Sequence, residues 1–189
     1  MKRGFTLIEL LIVVAIIAIL AAIAVPNFLE AQTRAKVSRT ASDLRSLATA
    51  LEAYRVDSNR YPRAELYMSL PLRLQHLTTP MSYITSLPLD PFYRKSAGFG
   101  GTEPEYCYAS GNVYIADSPE FNNSIYIGTL YSVAGRGPDG NFFVGGYCMA
   151  HPLAIRNGTA KSGTYDPTNG TVSPGDIFRV SPGTLGGGL

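Results

Sequence analysis

Hydrophobic residues form one continuous run near the start of the chain, residues 5–25, in which Glu9 is the single charged side chain. A helix rises about 1.5 Å per residue, so this run would reach roughly 31 Å, close to the ~30 Å hydrocarbon core of a bilayer. Lys2, Arg3 and Gly4 precede the run and polar helix-forming sequence follows it, unlike a cleaved secretory signal with its shorter apolar region. The pattern predicts a membrane-spanning helix that the mature protein retains.

A second hydrophobic pattern follows at helical spacing, while most charged residues of the same segment lie on other faces. Its apolar stripe comprises Val37, Ala41, Leu44, Ala48 and Leu51. The pattern predicts an amphipathic helix that buries one side against the rest of the chain. Pro26 lacks an amide hydrogen and is expected to kink or loosen the helix before it resumes. Polar residues 57–59, followed by Pro62, predict the end of this helix.

Short aromatic and β-branched runs alternate with turn residues in the second half of the chain, which predicts an antiparallel sheet. The candidate strands are 105–109, 113–116, 124–134, 141–147 and 176–180. A short helix is predicted over 70–77, a hairpin turn at Asn169-Gly170 and a fraying glycine-rich tail over 183–189. The predicted fold class is α+β: a long N-terminal helix, membrane-spanning in its first half and amphipathic in its second, packed on a small antiparallel sheet.

Charge and candidate chemistry narrow the functional classes. The chain has 16 basic and 14 acidic residues, and removal of Lys2 and Arg3 would leave 14 basic residues, equal to the 14 acidic ones. Near-neutrality argues against nucleic acid as the primary partner. His76 and His151 lack a recognisable nucleophile or metal-ligand spacing, and the chain has no phosphate-binding glycine loop. We therefore predict that the protein is not an enzyme.

Cys107 and Cys148 are the two cysteines of the chain. If this part of the chain lies outside the cytoplasm they could pair, and closing a loop of about 42 residues would stabilise the fold by roughly 4 kcal/mol in the chain-entropy model. Two unpaired, buried thiols are the alternative.

Glu9 needs a partner, because a charge inside a bilayer costs about 3 kcal/mol. One alternative is a capping box with Thr6, whose spacing satisfies amides of the first turn. The other is an α-amine created by a cut between Gly4 and Phe5, since such amines have a pKa of about 8 and are mostly cationic near neutral pH. We favour the amine, which could lie on the same helix or on a neighbouring one.

Residues 2–11, Lys-Arg-Gly-Phe-Thr-Leu-Ile-Glu-Leu-Leu, resemble the class III signal of type IV pilins and type II secretion pseudopilins. The resemblance implies that prepilin peptidase removes a leader, residues 1–4, by cutting after Gly4. It also implies methylation of the Phe5 amine.

The same resemblance assigns assembly roles to Phe5, Glu9 and the helix-bending Pro26. Glu9 would neutralise the Phe5 amine of a neighbouring subunit and set the axial register. Residues 5–25 would then form the transmembrane and later filament-core helix, and 26–59 the amphipathic helix. Residues 60–189 would form the loops and sheet of an extracytoplasmic head.

Three further passages resemble major pseudopilins: 52–62 with its Tyr-x-x-Asp and Tyr-Pro, 87–92 with Leu-Pro-x-Asp-Pro-aromatic, and 130–140 with Tyr-Ser and Gly-Pro-Asp-Gly. Relative to the compact pseudopilin head, 93–123 resembles an insertion. In the third passage, Ala134-Gly135-Arg136 partly lengthens the family pattern.

In that family the third passage helps to bind calcium, which takes six to eight oxygen ligands from carboxylates and backbone carbonyls. The main candidate ligand is Asp139. The weaker candidates are Ser132, Asn141, Asp166 and Asp176. A simple tight turn is the alternative, because Pro-Asp-Gly is sufficient to form one.

The function implied by the resemblance is a structural subunit of a type II secretion pseudopilus. The subunit would wait in the inner membrane, single-pass and in contact with lipid, with its head in the periplasm. It would then assemble into a helical homopolymer, a periplasmic or surface filament that drives export of folded proteins. The implied partners are other copies of itself, prepilin peptidase, minor pseudopilins, the inner-membrane assembly platform and the secretin.

Two other functions stay open. A type IV pilus subunit would serve adhesion, motility or DNA uptake; the usual pilin has a cysteine-bounded loop near its C-terminus, whereas 41 residues follow Cys148 here. A membrane-tethered module that binds a glycan or a peptide is the third alternative, suggested by the 12 tyrosines.

Overall fold

One long helix and a small sheet make up most of the regular structure among the residues that the structure describes. The computed structural model describes residues 5–62, 70–94, 104–110, 131–142, 164–166, 168 and 175–181. The elements are α1 (Leu7–Ser58), α2 (Leu70–Leu74), which a 3-10 turn at Gln75–Leu77 continues, and the strands β1 (Cys107–Ser110), β2 (Tyr131–Gly135) and β3 (Ile177–Ser181). The predicted α+β class is confirmed.

Helix α1 runs for 52 residues without interruption, and Pro26 lies inside it. The predicted loosening at Pro26 therefore does not break the helix. Thr6 caps the N-terminus, and Asn59 ends the helix in the left-handed conformation, with φ of 54°. The end predicted at residues 57–59 is confirmed, because the left-handed residue turns the chain away before Pro62.

The two halves of α1 have different surroundings. Every side chain from Phe5 to Leu29 is exposed, and the first buried residue is Val37. The apolar stripe predicted in the second half is confirmed, since all five of its residues are buried. Among the described residues, α1 is the helix that is long and apolar enough to cross a membrane by length and composition.

The sheet is antiparallel throughout, in the order β1-β2-β3. Val133 at its centre is paired with Tyr108 on one side and with Arg179 on the other. Strands predicted at 105–109, 124–134 and 176–180 correspond to the three observed ones, with ends displaced by one or two residues where they are described. The helix predicted over 70–77 corresponds to α2 and its 3-10 turn.

Other predictions of this kind concern parts outside the described residues: the strand at 113–116, residues 124–130, residues 143–147, the Asn169-Gly170 hairpin, most of 93–123 and the tail. Asn141 and Phe142 are described and do not lie in a strand, so the start predicted for the strand at 141–147 is wrong. They follow a tight turn in which the amide of Gly140 donates to the carbonyl of Gly137 (2.9 Å), and this geometry separates them from the ladder of β2.

The core lies between the second half of α1 and the sheet. Leu44, Leu47 and Leu51 are fully buried there, and each stabilises the fold by about 1.5–3 kcal/mol. Helix and sheet approach most closely at Gly135. A Cβ atom at that position would lie 2.6 Å from Cγ2 of Thr40 and 2.8 Å from Cε1 of Tyr106, so only glycine permits this approach.

Candidate functional site

The N-terminus of α1 holds the one carboxylate of the apolar run. The amide and the hydroxyl of Thr6 donate to Oε2 of Glu9 at 2.9 and 2.7 Å, and the amide of Glu9 donates to Oγ1 of Thr6 at 3.4 Å. The capping box considered from the sequence is therefore formed, and Glu9 is satisfied within its own first turn. Gly4 lies outside the described residues, so the cut beside it and the amine that it would create stay predictions.

The surface that follows Glu9 is apolar on every side. No side chain from Leu10 to Pro26 is polar, and all of them are exposed. Soluble monomers rarely present apolar surfaces larger than a few hundred Å². This half of α1 therefore needs lipid or other protein chains around it, whereas its backbone is already satisfied by helical hydrogen bonds.

The turn after β2 is where the sequence predicts calcium. Oδ1 of Asp139 accepts the amide of Asn141 at 3.2 Å, and Gly140 has φ of 75°, which favours glycine. A Cβ atom on Gly137 would lie 1.9 Å from the carbonyl oxygen of Gly175, so the turn rests directly on the residue before Asp176.

The five calcium candidates occupy different environments. Ser132 is buried inside β2, where it pairs with Ala109 and Val180. Asp166 is exposed, and its Oδ1 accepts the amide of Thr168 at 2.8 Å and the hydroxyl of the same residue. These two hydrogen bonds lower the pKa of Asp166.

Asp176 is buried, and its carbonyl accepts the amide of Tyr165 at 2.9 Å, which brings the segment around Asp166 against the turn. Within the described part of the chain, no three His, Cys, Asp or Glu side chains are close enough together to hold a metal ion. Calcium also takes backbone carbonyl oxygens as ligands, so calcium binding through Asp139 stays a prediction.

A buried ion pair, which the sequence did not lead us to expect, lies beside this turn. Asp90 is 4% exposed; its Oδ2 accepts the amide of Arg136 at 2.8 Å and lies 3.3 Å from Nη1 of the same arginine, while its Oδ1 accepts the amide of Phe92 at 2.9 Å. Burial raises the pKa of Asp90, and the hydrogen bonds and charge of Arg136 oppose that shift. The available signals were the Leu-Pro-x-Asp-Pro passage and the arginine in the lengthened loop.

Cys107 lies buried at the start of β1 and is disulfide-bonded. Cys148 lies outside the described residues, so the pairing of these two cysteines stays a prediction.

Two family models match successive parts of the chain. Residues 1–25 match the model described as the prokaryotic N-terminal methylation motif. Residues 27–97 match the model for protein G of the type II secretion system. The first match covers the capped, apolar half of α1, and the second covers the packed half together with α2 and the Asp90 loop.

Curated relatives include both kinds of filament protein. The type IV major pilin protein PilA of Myxococcus xanthus is 56% identical over 60 residues, which are 32% of this chain and 27% of that protein. Type II secretion system core protein G of Pectobacterium carotovorum subsp. carotovorum is 36% identical over 97 residues, 48% of this chain and 62% of that protein. The chain thus spans less than two thirds of both. Among solved structures, none matches the chain significantly.

A third relative is covered more completely. Core protein G of Klebsiella pneumoniae is 36% identical over 97 residues, which are 48% of this chain and 69% of that protein. The family model that matches residues 27–97 carries the same protein G description. The chain therefore belongs to the family of type II secretion system core protein G.

Proposed function

We propose that the protein is the major structural subunit of a type II secretion pseudopilus. The observation that carries this proposal is the division of α1 into an unshielded apolar half and a half that is packed into a folded head. A helix of this kind can exchange lipid for the apolar helices of other copies without any change in the head. Many copies arranged in this way would form a filament with an apolar core and the sheets outside.

The capping box suits the stage before assembly. Because Thr6 satisfies the carboxylate of Glu9 within one turn, the acid does not require a second chain while the helix is in lipid. In the filament, the methylated amine of Phe5 on a neighbouring subunit would become its partner. The carboxylate would then favour one axial register over registers in which it has no counter-ion.

The remaining partners belong to the same proposal. Prepilin peptidase would cut after Gly4 and expose Phe5, which lies at the exposed start of the helix. The inner-membrane platform and the minor pseudopilins would initiate assembly of the filament. The end of the growing filament would point towards the secretin. The head would lie in the periplasm, and the polymer would drive folded proteins through the outer membrane.

Substitution of the apolar run's one acid tests the assembly step. We expect Glu9→Ala to be processed to the Phe5 terminus, which mass spectrometry of the membrane fraction detects, but to give at least tenfold fewer sheared filaments than the wild type. Glu30→Ala is the matched control, because Glu30 lies on the same helix and pairs with Arg34 four residues away. Normal filament yield from processed Glu9→Ala would contradict the register mechanism.

A type IV pilus subunit is the second candidate, favoured by the 56% identity to PilA over 60 residues. Deletion of the gene that encodes this protein distinguishes a pseudopilus subunit from a pilus subunit. Loss of protein export with intact surface pili supports the pseudopilus, whereas loss of surface pili with normal export supports the pilus.

A further inference from the structure

The turn that follows β2 contains a buried, positively charged side chain, Arg136. The side chains of Arg136 and Asp90 are 2% and 0% exposed, and Nη1 of the arginine lies 3.3 Å from Oδ2 of the aspartate. The two residues are 46 positions apart in sequence, so their contact joins this turn to the loop that contains Asp90. The amide of Arg136 reinforces this contact at 2.8 Å.

Two aromatic rings hold the guanidinium of Arg136. Its central carbon lies 4.2 Å from the ring centroid of Phe142 and 5.1 Å from that of Tyr93. A flat, weakly hydrated guanidinium tolerates such an environment better than an ammonium does, because aromatic faces attract it. The rings therefore fix the cation in the position from which it neutralises Asp90.

A second cationic side chain adjoins the same turn. A Cβ atom on Gly140 would lie 3.1 Å from Cδ and 3.3 Å from Nε of Arg94. Because Arg136 is already paired with Asp90, it is Arg94 that adds a positive charge beside this turn and disfavours a divalent cation there. Asp139, within this turn, uses Oδ1 to accept the amide of Asn141.

We propose that the guanidinium of Arg136 stabilises this turn and takes the place of a bound metal ion. It neutralises Asp90, ties residues 136–142 to residues 90–93, and so positions Gly137 against Gly175, two residues before β3. The head consequently folds and keeps this turn without calcium. This inference does not depend on the proposed function, since it concerns the fold of one subunit.

Thermal unfolding of the full-length chain in detergent tests the metal independence directly. We expect the same melting temperature in excess EDTA and in millimolar calcium chloride. A melting temperature that falls in EDTA and returns on addition of calcium would overturn the proposal.

A double-mutant cycle tests whether Arg136 acts through Asp90. Breaking a buried pair by removal of one partner is strongly destabilising, so Arg136→Leu should lower the melting temperature by roughly 10 °C. Addition of Asp90→Asn to Arg136→Leu should recover part of that loss, because the uncompensated carboxylate is gone. Arg45→Leu, on the exposed side of α1, is the matched control and should leave the midpoint almost unchanged.

Effects of Arg136→Leu and Asp90→Asn that simply add would overturn the proposal, since independent sites add. If Arg136→Leu does not fold, Arg136→Lys takes its place in the cycle. It keeps the positive charge but loses the planar group between the rings, so we expect a smaller fall that again depends on Asp90.

Discussion

The hydroxyl of Tyr61 connects the end of α1 to the last residue of β3. It accepts a hydrogen bond from Nη1 of Arg55 (2.9 Å), donates to Glu52 (2.9 Å) and lies 2.9 Å from Oγ of Ser181. The ring is 1% exposed and meets Tyr131 edge-on. Burial raises the pKa of Tyr61, so the hydroxyl stays protonated and keeps its donor at physiological pH.

Removal of the Tyr61 hydroxyl should destabilise the fold. Tyr61→Phe removes the hydroxyl that accepts from Arg55 and donates to Glu52, and hydrogen bonds to charged groups are the stronger ones, so we expect the free energy of unfolding to fall by about 1–3 kcal/mol. Chemical denaturation measures the change. Tyr54→Phe is the control, because the ring of Tyr54 packs against Tyr83 and His76 at the surface of the same helix end. Equal effects of the two substitutions would contradict this role.

The buried carboxyl of Asp90 makes the free energy of unfolding depend on pH. Its folded pKa is raised by burial above its ordinary value, so the group binds its proton more tightly in the folded chain than in the unfolded one. It therefore contributes stability that is fully present below about pH 4 and is lost as the pH rises through the folded pKa.

We expect the difference in unfolding free energy between the wild type and Asp90→Asn to decrease from pH 3 to pH 7. The change should be about 1.4 kcal/mol for each unit by which the folded pKa exceeds the unfolded one. Denaturant titrations at several pH values measure it. A difference that increases over this range would mean that Arg136 outweighs burial.

Sequence could predict few of these individual contacts. The Thr6–Glu9 pair was foreseeable because its members are one helical turn apart. Asp90 and Arg136, and likewise Tyr61 and Ser181, are distant in sequence and meet only when the sheet has one particular register. No local pattern fixes that register, because each strand is too short and too buried to show alternation.

At the scale of elements, the contact between α1 and β2 depends on Gly135. Gly135→Ala would place a methyl group 2.6 Å from Cγ2 of Thr40, so helix and strand must separate. We expect a loss of about 1–3 kcal/mol of stability, as for other overpacked cores. Chemical denaturation of the variant measures it.

A second substitution identifies the cause. Thr40→Ala removes the methyl group that the new alanine would meet, so the double variant should lose less than the sum of the two single variants. Additive losses would show that the cost does not arise from the helix contact but from the strand or from the ring of Tyr106, which lies 2.8 Å away.

Helices and strands differ in how far the sequence could predict them. The length of α1 follows from its apolar run, its helical stripe and the residues around Asn59, all of which are local. The strands were predicted at roughly the right positions, but their ends depend on which residues find a partner in β2. The extended passage expected at Asn141 is instead set by the turn at Gly137–Gly140.

At the scale of the whole molecule, the head and the apolar half of α1 are separable. The buried part of α1 begins at Val37, and nothing before Glu30 is even half-buried. We therefore expect a chain that begins at residue 30 to be soluble and to melt within a few degrees of the full-length chain in detergent. Circular dichroism of the two proteins measures this.

A shorter fragment is the matched comparison. A chain that begins at residue 45 also lacks Val37, Ala41 and Leu44, and loss of one buried leucine alone costs about 2–5 kcal/mol. This fragment should be largely unfolded. If the chain from residue 30 were equally unstable, the first half of α1 would contribute to the fold of the head.

The boundary within α1 also bears on what becomes of a subunit when a filament shortens. Because the head makes its contacts with residues beyond Glu30, withdrawal of the apolar half from its neighbours breaks no contact inside the head. If Glu9 pairs with a neighbouring subunit as proposed, the cap at Thr6 becomes available to it again on withdrawal. A subunit returned to the bilayer would thus be intact, and the cell could recycle it for a further round of growth without new synthesis or refolding.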